Sequence, residues 1–149
     1  MLHIALVEPE IPWNAGNVGR TCLALGARLH LVAPLGFSLD ARELRRAGLD
    51  YWPRVDCVLH AGFAEFLAAA RGLGEPFLFQ TGASRSLFDL PPPADALFLF
   101  GSESRGLPRE VEKAFPGGGV RIPMAPASVR SLNLSSAVAV AGYWWAQGQ

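Results

Sequence analysis

Short, densely apolar runs alternate along this chain with polar stretches punctuated by glycine and proline, and the spacing of the two sets an order of elements. Leu2–Val7 is apolar almost throughout and is halted by Glu8-Pro9-Glu10-Ile11-Pro12, the pattern of a buried strand entering a stiff loop. A helix is expected over residues 16–25, stopped by Gly26, with a second strand at Arg28–Val32. Strand, helix and strand at this spacing form a β-α-β unit and predict a parallel sheet. Residues 38–48 open on a capping pattern and close on Gly48, which predicts a short surface helix.

The pattern continues with a minor strand over 55–59, a helix at Phe63–Ala70 and a third core strand over 76–80. A loop over 81–95 carries Pro91-Pro92-Pro93. Ala96–Phe100 is apolar on both faces, as central strands of parallel sheets are, and runs into Gly101-Ser102-Glu103-Ser104-Arg105-Gly106-Leu107-Pro108. A short helix over 108–114, a strand over 120–122 and a last helix over 133–147 complete the chain. The expectation is one α/β domain over residues 1–149, a parallel sheet flanked by helices.

Composition narrows the chemistry. At 149 residues and 50% hydrophobic, the chain can bury a core without disulfides or metal. Formal net charge is zero and 17% of residues are charged, so any site for a polyanion has to be local. Twelve of the 13 basic residues are arginine, Lys113 being the exception; this suits bidentate contacts to phosphate, and codon usage in a GC-rich genome explains it equally well. Cys22 and Cys57 lie far apart, and His3, His30 and His60 lack metal-ligand spacing, so these five read as packing residues in a reducing compartment and no metal is expected. The N-terminus lacks a basic leader and the longest apolar run, 137–146, is too short for a bilayer; a soluble, cytoplasmic protein is expected.

Three polar loops follow apolar strands: residues 8–19 leading to Arg20, residues 101–107, and residues 123–133. In a parallel sheet all three emerge at one edge, where open α/β sheets bind ligands. None is a Gly-x-Gly-x-x-Gly or Gly-x-x-x-x-Gly-Lys cradle, which counts against ATP and NAD. Taken alone, Asn14 and Asn17 can be loop or cap residues, Arg20 a surface charge, and Ser131 or Asn133 the cap of the last helix. Glu8 and Glu10 read as loop charges. Arg42, Arg45 and Arg46 share a helix face that is either simply solvated or a phosphate-contacting patch.

The three loops in combination resemble the SPOUT family of RNA methyltransferases. The residues that carry the likeness are Pro9-Glu10-Ile11-Pro12-Trp13-Asn14-Ala15-Gly16-Asn17-Val18-Gly19-Arg20, Phe98-Leu99-Phe100-Gly101-Ser102-Glu103-Ser104-Arg105-Gly106, and Ile122-Pro123-Met124 with Arg130-Ser131-Leu132-Asn133-Leu134-Ser135. Arg28-Leu29-His30-Leu31, Pro34-Leu35-Gly36-Phe37 and Leu44-Arg45-Arg46-Ala47-Gly48-Leu49-Asp50-Tyr51 are similar to the small members that methylate the ribose of the tRNA wobble cytidine or uridine. Ser102, where close relatives are expected to have proline, and Val129, an additional residue, depart from the pattern.

The resemblance implies a C-terminal trefoil knot, a homodimer with active sites near the subunit interface, and S-adenosylmethionine as cofactor. It places Gln80, Thr81, Gly101, Ile122, Ser131 and Leu132 around that cofactor. Arg20 is implied at the 2′-hydroxyl, with Asn14, Glu103, Ser131 and Asn133 completing the constellation. A guanidinium does not readily give up its proton, so Arg20 is expected to hold a phosphate or stabilise developing alkoxide, with Glu103 orienting it or a neighbour. The anticodon stem-loop of tRNA is the implied partner, with Arg42, Arg45, Arg46, Arg105, Arg109 and Arg130 on phosphates and Trp13, Trp52 and Phe37 available for stacking or packing. Methylation of another tRNA or rRNA ribose, and a noncatalytic RNA-binding dimer, are the alternatives.

Overall fold

The computed structural model describes residues 1–46 and 49–149. Six parallel strands form one sheet: β1 (Leu2–Val7), β2 (Arg28–Val32), β3 (Cys57–His60), β4 (Glu75–Phe79), β5 (Ala96–Phe100) and β6 (Gly119–Val120), in the order β3-β2-β1-β5-β4-β6. Every residue of β1 and β5 is buried, as expected for neighbouring central strands covered on both faces. Chain order reverses between β1 and β5, which opens a crevice at the carboxyl ends of those strands.

Helices α1 (Pro12–Leu25) and α5 (Leu134–Ala146) cover one face over a core that includes Ile4, Phe77, Phe98, Val138 and Trp144. They approach closely at Gly142, where a Cβ would stand 2.5 Å from Leu25 Cδ1. The other face carries α3 (Phe63–Ala70) and α4 (Arg109–Ala114), over Ala5, Val7, Phe66, Leu99 and Val111. The short α2 (Ala41–Arg46) starts as expected, with the Asp40 carboxylate accepting from Arg42 N–H at 2.7 Å; the Gly48 stop lies outside the described residues.

Three departures from the sequence expectations have identifiable causes. Helix α1 begins at Pro12, four residues before the expected Gly16, because its entry is held by Glu103 from a distant loop; Pro12 in its first turn lacks the N–H that would otherwise need a partner. Strand β6 ends at Val120, since Arg121 turns to the 81–95 loop: its N–H donates to Arg85 O at 2.9 Å and its carbonyl accepts from Leu87 N–H at 2.9 Å. The loop itself is anchored by a 3-10 turn at Leu87–Asp89 that buries Leu87 completely. The edge strand begins at Cys57 and extends to His60, whose carbonyl accepts from Ala33 N–H at 3.0 Å, so the pairing continues one residue past the expected end at Leu59.

Candidate functional site

Loops that leave β1, β4, β5 and β6 surround a cleft of about 770 Å³ at the carboxyl edge of the sheet. Phe79, Phe100, Ile122, Leu132, Leu134 and Ala137 supply apolar walls, and Asn14, Gln80, Glu103 and Glu112 supply polar groups. Phe79 and Phe100 stack with centroids 4.3 Å apart, which makes a flat floor from the ends of two adjacent strands. Gly101 is there because nothing larger fits: a Cβ would lie 1.9 Å from the Gly106 carbonyl carbon, as the loop folds back on itself.

Glu103 and Asn14 organise the cleft. The Glu103 carboxylate accepts from the main-chain N–H groups of Glu10 at 2.8 Å and Ile11 at 3.1 Å, and from Asn14 Nδ2 at 3.2 Å. A negative charge is thus placed at the N-terminal end of α1, where it is favoured. Asn14, only 2% exposed, passes the connection on, its Oδ1 accepting from Asn133 Nδ2 at 3.0 Å. Asn133 then caps α5, its Oδ1 accepting from Ser135 N–H at 2.9 Å and Ser136 N–H at 3.3 Å. One hydrogen-bonded chain therefore ties the three motif loops together.

A second set of ties was not legible as chemistry in the sequence. Glu10 Oε1 accepts from Ser104 Oγ at 2.6 Å and Ser104 N–H at 3.1 Å, and these bonds hold its carboxyl below the ordinary carboxylate range. Glu8, in a left-handed conformation at φ 54°, faces Arg105 at 3.3 Å. Both had read as loop charges, and their partners sit some 90 residues further along the chain. Glu112 in the cleft, hydrogen-bonded to Gln80 Nε2, was also missed, since α4 carries four charges and nothing in its pattern marks this one.

The expected cofactor residues Gln80, Thr81, Gly101, Ile122, Ser131 and Leu132 all line this cleft, together with Asn14, Glu103 and Asn133. Arg20 does not: it is exposed on α1 and lies over the Tyr51 ring at 5.3 Å, in a separate cleft with Arg54 and Asp50. Of the two partners expected for Glu103, Arg20 or a neighbouring group, its carboxylate meets a neighbour, Asn14. Arg105 and Arg130 border the main cleft, Arg130 donating to Ser104 O at 3.0 Å, whereas Arg42, Arg45, Arg46 and Arg109 are exposed away from it. Trp13 is 67% exposed; Trp52 and Phe37 are packed against the core. Ser102 completes the loop where proline was expected, its Oγ accepting from Arg105 N–H at 3.2 Å and its carbonyl from Gly106 N–H at 2.9 Å.

The three histidines do more than pack. Across β1, β2 and β3, His3 Nδ1 meets His30 Nε2 at 3.0 Å and His30 Nδ1 meets His60 Nε2 at 3.0 Å, all three buried, with the Phe66 ring edge-on to His30 and His60. Burial lowers the pKa of each, that of His30 to about 4. Burial also raises the Cys22 and Cys57 thiols, to about 12 and about 11, which leaves them poor nucleophiles. Among the described residues no His, Cys, Asp and Glu cluster is arranged to hold a metal, and no helix is long and apolar enough to cross a membrane.

Comparison with known proteins accords with this geometry. A protein of Burkholderia ambifaria named tRNA (cytidine(34)-2′-O)-methyltransferase is 48% identical over 142 residues, covering 94% of this chain and 90% of that protein. A solved structure described as "Structural insights into the 2-OH methylation of C/U34 on tRNA" matches with a TM-score of 0.89 and 51% identity over 99% of this chain and 95% of the other. A putative RNA methyltransferase from Bacillus anthracis matches with a TM-score of 0.92 and 39% identity, covering 100% of this chain and 94% of that one. The family model described as the SpoU rRNA Methylase family matches residues 1–143. With the sheet order, the three linked loops and nearly the full length accounted for, the chain belongs to the SpoU rRNA methylase family, within the SPOUT methyltransferases.

Proposed function

We propose that this protein is a tRNA 2′-O-methyltransferase that transfers a methyl group from S-adenosylmethionine to the ribose of the wobble cytidine or uridine, in the cytoplasm. The observation that carries the reading is the single cleft in which the linked loops bring Asn14, Gln80, Gly101, Glu103, Ile122 and Asn133 together, in a chain that shares 48% identity with a protein of that name. S-Adenosylmethionine suits this cleft: it has no phosphates, so it needs flat apolar walls and peptide groups rather than a glycine cradle, and Phe79, Phe100, Ile122 and Leu132 provide such walls. When bound, the cofactor supplies an electrophilic methyl group on a sulfonium.

The chain's own residues supply position and charge. Glu103, Asn14 and Asn133 hold the loops of β1, β5 and α5 in one arrangement, and fixing reactants in place can lower a barrier by several kcal/mol. Glu112, held by Gln80 Nε2, puts a carboxylate in the cleft that would favour the cationic groups of the cofactor. Arg20 is the group that faces RNA, as a permanent cation that holds a phosphate beside the target ribose or stabilises developing alkoxide.

Arg20 lies outside the cofactor cleft of its own chain, which supports a homodimer in which Arg20 of one chain serves the cleft of the other. The exposed faces of α1 and α5 suit this, with Trp13 67%, Val140 38% and Tyr143 58% exposed on helices that pack side by side. The Arg121 bonds to the 81–95 loop, and Trp145 Nε1 donating to Pro93 O at 2.8 Å, support a knotted C-terminal segment passing through that loop. Arg42, Arg45, Arg46, Arg105 and Arg130 are the proposed phosphate contacts for the anticodon stem-loop. Incubation with total tRNA and methyl-labelled S-adenosylmethionine, followed by mass-spectrometric mapping, tests the reading; label confined to positions outside the anticodon loop would overturn it.

A further inference from the structure

Tyr51 stands directly beneath Arg20. The Arg20 guanidinium carbon is 5.3 Å from the Tyr51 ring centroid, within the range of a cation–π contact. The ring is itself fixed at its other end: the Tyr51 hydroxyl donates to the main-chain carbonyl of Gly16 at 2.7 Å. That carbonyl lies one helical turn before Arg20 on α1, so the phenol is pinned to the helix that carries the arginine it supports.

The backbone around Tyr51 is seated just as closely. A Cβ at Gly16 would stand 2.8 Å from Leu49 Cδ2, and one at Gly19 would stand 2.6 Å from Trp52 Cζ3. Two small residues three apart on α1 therefore admit Leu49 and Trp52, three apart on the facing segment, with Tyr51 between them. Trp52 N–H donates to Leu49 O at 3.1 Å and closes the segment into a turn, and Val55 beyond it is buried. An exposed arginine has many rotamers; this one shares a cleft of about 530 Å³ with Arg54 and Asp50, and has a rigid aromatic floor.

We infer that Tyr51 is a positioning residue for methyl transfer, acting through Arg20: its ring restricts the guanidinium to one direction, and its hydroxyl bond to Gly16 holds the ring. The inference rests on the proposed role of Arg20 at the target ribose, and it adds the residue that prepares Arg20 before RNA arrives. Burial raises the Tyr51 phenol pKa, so the hydroxyl remains a donor across the neutral range.

The test uses the full-length protein with Tyr51→Leu, which removes the ring, and Tyr51→Phe, which keeps it. Tyr51→Leu is expected to lower kcat for tRNA methylation by roughly 10- to 100-fold, the scale that a misplacement of about 1 Å costs, while S-adenosylmethionine affinity by calorimetry stays within about two-fold. Tyr51→Phe is expected to keep kcat within about five-fold. Arg20 itself is read by NMR: its side-chain Nε–Hε resonance should be shifted by the ring in wild type and Tyr51→Phe, and should move to the position of free arginines in Tyr51→Leu. Equal kcat in wild type and Tyr51→Leu, equal losses in both variants, or a loss that tracks the urea midpoint overturns the inference, as does an Arg20 resonance indifferent to the ring. A fully active Arg20→Ala protein would instead remove the proposed role of Arg20, and the NMR comparison would still decide whether Tyr51 orders it.

Discussion

Asn14 is the side chain on which the arrangement of the three loops depends most. It is 2% exposed, donates to Glu103 at 3.2 Å and accepts from Asn133 at 3.0 Å. Asn14→Ala removes two hydrogen bonds worth about 1 kcal/mol each and leaves the Asn133 amide short of an acceptor, so a loss of about 2–3 kcal/mol is expected. Asn14→Asp is the sharper perturbation because the shape is unchanged and only a donor becomes an anion. Two unit charges at the 3.2 Å separation repel by about 5 kcal/mol at an effective dielectric constant of about 20. The N–H groups of Glu10 and Ile11 still solvate Glu103, so the net loss at pH 8 is expected near 3 kcal/mol, a shift of roughly 1–2 M in the urea midpoint. The sign with pH is fixed: repulsion raises the pKa of the pair above the unfolded aspartate value of about 3.9, so the penalty is complete above the raised value and shrinks as pH falls toward 3.9. Urea titrations at pH 8 and pH 5 should therefore show a deficit about halved at the lower pH. An Asn14→Asp protein as stable as wild type at pH 8, or with a deficit indifferent to pH, would mean that Asn14 and Glu103 do not meet.

Other residues give independent checks. Gly101→Ala should abolish S-adenosylmethionine binding in calorimetry, since its Cβ would fall 1.9 Å from Gly106, whereas Gly82→Ala, whose Cβ meets nothing, should leave the urea midpoint unchanged; normal binding by the first variant would contradict the folded-back loop. His30, with its pKa lowered to about 4 against about 6.5 when unfolded, favours the folded state fully above pH 6.5, and that contribution is lost as pH falls toward 4. The urea-derived stability should drop by about 2 kcal/mol between pH 7.5 and pH 5, and His30→Gln should flatten the change; a flat wild-type profile would refute the neutral ladder. Arg20→Ala should abolish methyl transfer yet bind S-adenosylmethionine within a few-fold of wild type, because Arg20 lies outside that cleft; full transfer activity would remove its role.

What the sequence disclosed and what it withheld divide along the range of the interactions. Strands β1 and β5 and helix α3 have the bounds expected from apolar runs alone, since burial of consecutive residues is a local signal. The N-cap of α5 was also readable, because Asn133 reaches N–H groups only two and three residues ahead. The start of α1 was not: its cap is a glutamate 92 residues away, and no local residue caps in its place. The same holds for Glu10 with Ser104 and for the three histidines, which only strand register brings into line. For the cleft, loop resemblance named residues that do converge, while the separation of Arg20 from them depends on which face of α1 points outward.

One measurement bears on the proposed reaction most directly. A tRNA substrate and its counterpart with a single 2′-deoxy nucleotide at position 34 differ by one oxygen, the atom that accepts the methyl group. With methyl-labelled S-adenosylmethionine, label should enter the first and be absent from the second, while both RNAs bind with similar affinity. Equal labelling of the two would place the methyl group elsewhere and contradict transfer to the ribose of position 34.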